Sequence, residues 1–96
     1  MFRPSIEKRL SSVSDELRRL RDDLKILDEQ LLQVSDEAED SRLRAMVSET
    51  PLAAAEHRDA AKAVGALRRN RDSMMKRVQK LEALQDELLD EFTRDR

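Results

Sequence analysis

Between Ile6 and Ala38 the apolar residues recur at alternating steps of four and three: Ile6, Leu10, Val13, Leu17, Leu20, Leu24, Leu27, Leu31, Val34 and Ala38. An α-helix turns once in about 3.6 residues, so an average step of 3.5 keeps one narrow apolar seam facing a neighbouring helix. Nearly everything between the seam residues is charged. A chain with 42% charged residues can also be disordered. The register decides against that, because a seam needs few apolar residues but needs them in phase. One Gly and two Pro leave little material for the turns of a sheet. With no Cys there are no disulfides, thiolate metal sites or cysteine nucleophiles. No apolar run approaches the roughly 18–20 residues that span a bilayer, and no signal peptide is evident. A cytoplasmic protein is the expectation.

Met1–Pro4 read as a short lead, and Ser5 as the N-cap of a helix over about 5–47. The acidic stretch Ser35–Ser41 has weak apolar marking and is the expected place for fraying or a kink. Residues 48–51 form the turn: Thr50 is a good N-cap, and Pro51 suits the first helical position, where its missing N–H is not needed. A second helix over about 51–93 carries its own stripe: Ala53, His57, Ala60, Val64, Leu67, Arg71, Met74, Val78, Leu81, Gln85, Leu88 and Phe92. The fold class is therefore all-α: one domain over 1–96, a long antiparallel two-helix coiled-coil hairpin expected to dimerise into a four-helix assembly.

The register that centres the hairpin on residue 49 is internally consistent. It sets Leu10 opposite Leu88, Leu17 opposite Leu81, Leu24 opposite Met74 and Val34 opposite Val64. On the flanks it pairs Arg9 with Glu91, Asp23 with Arg77, Gln30 with Asn70 and Asp28 with Arg68. Two layers are polar, Leu27–Arg71 and Val13–Gln85, and discourage slipped registers. A parallel dimer of the first helix would instead oppose Asp23 to Asp28.

No constellation points to catalysis. The acidic clusters would need a walled pocket to split their pKa values, and a two-helix rod lacks one, so they read as solvated surface. His57, the only histidine, lacks the companion ligands of a metal site. No cofactor, metal or small-molecule substrate is implied. The basic residues of 68–80 make an alternative nucleic-acid face, with Arg69, Lys76 and Lys80 as its uncompensated cations, but without aromatic residues for stacking. The turn end is more informative. Leu43, Met46 and Val47 lie off the seam, as do Ile26 and Leu32. Leu52, Ala61 and Gly65 belong to a small-sided stretch beyond the turn, and Gly65 costs about 1 kcal/mol relative to Ala inside a helix. Leu43, Met46, Val47, Leu52, Ala61 and Gly65 are the candidate interaction surface, for a second copy of the chain or a helical protein partner.

Leu27–Leu31 (LDEQL) followed by Ser48–Ala53 (SETPLA) resembles small uncharacterised coiled-coil hairpin proteins of high-GC Gram-positive bacteria, over most of the chain. The resemblance implies a bacterial cytosolic protein and carries no activity. The hairpin is also similar in architecture to the tRNA-binding arm of seryl-tRNA synthetases. The function expected is non-enzymatic, a protein–protein interaction or adaptor module acting through helix faces, with an accessory RNA-binding hairpin as the alternative.

Overall fold

In a computed structural model that describes residues 5–94, the chain is an all-α hairpin of two helices, α1 (Ile6–Ser48) and α2 (Pro51–Arg94). The lead Met1–Pro4 lies outside the described residues. Each helix ends one residue beyond its expected bound. At the start of α1 the Ser5 hydroxyl accepts the Lys8 amide at 3.2 Å, and the Ser5 carbonyl accepts that of Arg9 at 3.1 Å. These contacts satisfy donors that a helix start leaves without partners.

α1 runs unbroken through the acidic stretch Ser35–Ser41. The seam continues there on small side chains: Ala38 and Ala45 are half-buried and Ser41 is buried. The Ser41 hydroxyl donates to the Ala38 carbonyl at 2.8 Å, which lets a polar residue occupy a seam position without a lost hydrogen bond. The reversal takes two residues. Glu49 adopts a left-handed conformation (φ 51°), the role Gly usually fills after a helix, and its amide donates to Ala45 at 3.1 Å. The Thr50 hydroxyl then accepts the Ala53 amide at 3.2 Å, capping α2 as its sequence implies.

The chain divides into two compact units. The first combines the chain up to Leu24 with the chain from Ser73 onward. Its core is Val13, Leu17 and Leu24 of α1 with Val78, Leu81 and Leu88 of α2, and Ile6, Leu10, Leu20, Met74, Met75 and Leu84 pack against it. Burying each large apolar side chain contributes roughly 1.5–3 kcal/mol, so this core is the main stabilising element of the unit. Gln85 occupies the stripe but donates to the Ser14 hydroxyl at 3.1 Å, beside the polar layer expected at Val13. Arg77 does not pair with Asp23. Its Nε and Nη2 both donate to Glu16 Oε1, at 3.0 and 2.9 Å. Glu16 lies one heptad earlier on the same flank; it is a methylene longer than Asp23 and half-buried, where reduced solvation strengthens an ion pair. These three cross-helix bonds join later residues of α2 to earlier residues of α1, as an antiparallel pair requires.

The second unit is Lys25–Asp72. Its buried apolar residues are Leu27, Ala53 and Val64, a much thinner set. The half-buried Arg71 carries its head to the edge of the stripe, where Nε donates to Asp28 Oδ1 at 2.6 Å. Asp28 is thereby taken by Arg71 and not by Arg68, the partner expected from flank positions.

Leu88 is 1% exposed and its neighbour Leu89 is 47% exposed. Leu88→Ala should lower unfolding free energy by about 2–5 kcal/mol, while Leu89→Ala changes it by about 0.5 kcal/mol or less. Urea titration of the two variants checks the orientation of α2.

Candidate interaction surface

The surface lies within residues 25–72. The seam there is made mostly of half-buried or small residues: Leu31, Val34, Ala38, Ser41 and Ala45 on α1, and Ala53, His57, Ala60, Val64 and Leu67 on α2. Larger apolar side chains face outward instead. Met46 is 62% exposed, Leu52 70% and Val47 85%, and Leu43, Ile26 and Leu32 are also exposed. Among the described residues the corresponding residue of the other unit is Leu89. The expected off-seam positions of Leu43, Met46, Val47 and Leu52 are thus surface positions. Ala61 is exposed and Gly65 half-buried, both on α2.

Gly65 has no need of its missing side chain within the chain. A Cβ added there would meet only the Arg69 guanidinium, at 3.4 Å, an ordinary contact with the far end of a flexible group. Its helix cost therefore has no compensating contact inside the hairpin.

Two shallow clefts run between α1 and α2 in this unit. One, of about 230 Å³, is bounded by Ser35, Glu39 and Arg42 of α1 and His57, Ala61 and Arg68 of α2. The other, of about 460 Å³, is bounded by Asp28, Leu32 and Ser35 with Arg68 and Arg71. Ser35 and Arg68 border both, so the clefts are contiguous. No described side chain hydrogen-bonds or ion-pairs with the Arg68 guanidinium, and Asp28 is engaged by Arg71. The clefts were not read from the sequence. Their signal was there in small residues at flanking heptad positions, Ser35 on α1 and Ala61 on α2.

Arg42 holds Glu39 through two bonds, Nη2 to Oε1 at 2.6 Å and Nε to Oε2 at 3.0 Å, and also donates to Met46 Sδ at 3.2 Å. The Arg42 hydrogen bond lowers the Glu39 carboxyl below its ordinary range; partial desolvation opposes this, and the charges of Arg42 and His57 reinforce it. The same pairing raises Arg42. His57 Nδ1 is buried without a hydrogen-bond partner. Among the described residues no group of three or more His, Cys, Asp or Glu comes together to hold a metal ion, and no helix is long and apolar enough to cross a membrane. Arg69, Lys76 and Lys80 are exposed on α2, Arg69 in the second unit and the two lysines in the first.

Compared with known protein families, curated proteins and solved structures, the chain matches none at a significant level.

The Glu39–Arg42 pair contributes stability that is present above the unfolded carboxyl pKa and lost as pH falls through the lowered folded value. Arg42→Gln should return the Glu39 titration toward the ordinary glutamate range. A side-chain carboxyl titration by NMR reads the shift directly.

Proposed function

We propose that the protein is a non-enzymatic, cytoplasmic interaction module that binds a second helical surface through the outward faces of residues 25–72. The observation that carries this reading is the inversion within that unit: Leu43, Met46, Val47 and Leu52 are exposed while the seam beneath them is made largely of small side chains. Exposed leucines scattered singly are ordinary on any protein. Here they gather on both sides of one turn, and each large side chain buried would contribute roughly 1.5–3 kcal/mol. A thinly buried hairpin gains more from such cover than a fully packed domain does.

Met46→Glu combined with Val47→Lys should leave helix content unchanged and reduce association, read by sedimentation velocity and circular dichroism. Arg69→Glu with Lys80→Glu should leave association unchanged. If the first variant keeps its wild-type mass and partners while the second loses salt-sensitive binding to bulk RNA, the interaction reading fails and the RNA-binding alternative replaces it.

A further inference from the structure

We infer that the cleft beside Arg68 is filled by α1 of a second copy of this chain, with Leu32 seated between Ala61 and Gly65 and Asp36 paired with Arg68. This inference rests on the interaction reading above and names its partner.

The cleft offers small residues and an unpaired cation. Ala61 borders it. Gly65 follows Ala61 by one helical turn on α2, beside the cleft, and nothing among the described residues requires it to lack a side chain. Arg68 borders the cleft without an ion-pair partner, since Asp28 is engaged by Arg71. A guanidinium on the edge of an apolar contact calls for a carboxylate, and a planar one that accepts two bonds suits it best.

The chain itself carries the matching element. Leu32 is 66% exposed, and Asp36 follows it by four residues, on the same face of α1. No described residue hydrogen-bonds or ion-pairs with the Asp36 carboxylate. The spacings agree. If α1 of a second copy lies parallel to α2 with Leu32 between Ala61 and Gly65, the next turn of α1 brings Asp36 level with Arg68, which follows Gly65 by three residues. Two-fold symmetry makes the contact twice, because each copy presents both the cleft and the Leu32–Asp36 pair. Electrostatic matching of this kind selects the partner and the register more than it adds affinity. A self-complementary patch therefore suits a second copy better than an unrelated helix.

The test is sedimentation of the full chain with reciprocal charge reversals. Arg68→Asp and Asp36→Arg should each raise the dimer dissociation constant by about tenfold or more. Mixing the two variants should restore a dimer, since both contacts then regain opposite charges. Ala61→Leu should fill the cleft and yield a folded monomer, verified by unchanged helix content. The inference is overturned if wild type stays monomeric throughout the micromolar range, or if the mixture associates no better than its components. A dimer that survives both charge reversals but is lost in Met46→Glu/Val47→Lys overturns this inference while leaving the interaction reading intact. If neither set of substitutions alters association, both readings fail together.

Discussion

Everything in this chain depends on one narrow apolar seam held in phase by a 3.5-residue repeat. The seam provides the only extensive apolar burial among the described residues, and it fixes which face of each helix is inward. Its chemistry changes along the chain. Where residues up to Leu24 meet those from Ser73 onward, the seam is built of leucine, valine and methionine and buries six large side chains. Within residues 25–72 it passes through Ala38, Ser41, Ala45, Ala53 and Ala60, and dispersion and hydrophobic burial fall accordingly. Small residues keep the helices continuous and allow close approach. They also leave little core of their own.

Polar residues in the seam act through their reach. Gln85 and Arg71 both occupy stripe positions, and both extend to the edge, Gln85 to Ser14 and Arg71 to Asp28. Neither bond is strong in energy, because the Arg71–Asp28 pair is well exposed and such pairs contribute at most about 1 kcal/mol. Their effect is on alternatives. A slipped register would place each polar head against apolar neighbours, so these two side chains narrow the choices open to an otherwise repetitive stripe. The engagement of Asp28 by Arg71 has a second consequence: it leaves Arg68 as an unpaired cation beside the cleft.

The helices, the turn and the seam were legible in the sequence because they follow from period and capping chemistry. Thr50, Pro51 and Ser5 each stand where their local chemistry places them. The individual ion pairs were not legible. Heptad positions nominate Asp23 for Arg77 and Asp28 for Arg68, whereas the long, flexible arginines reach Glu16 from Arg77, and Arg71 takes Asp28 from Arg68. Flank positions define a neighbourhood of several carboxylates, and side-chain length and solvation choose among them. The acidic stretch Ser35–Ser41 misled for a related reason: charge density suggested a break, yet its charges sit outward and its seam positions are small enough to continue the helix. The outward Leu43, Met46, Val47 and Leu52 were legible as off-seam residues, but the cleft was not, since it depends on the distance between two helices that sequence spacing does not encode.

Under the proposed function, the leucine-rich unit is held by its own seam, whereas the unit around the turn gains stability from cover by a second helical surface. Amide hydrogen exchange followed along the chain over a series of protein concentrations tests this most directly. Protection of amides in 25–72 should rise with concentration while that of amides in 6–24 and 73–94 stays constant. Protection that is equally strong in both regions and independent of concentration would contradict it.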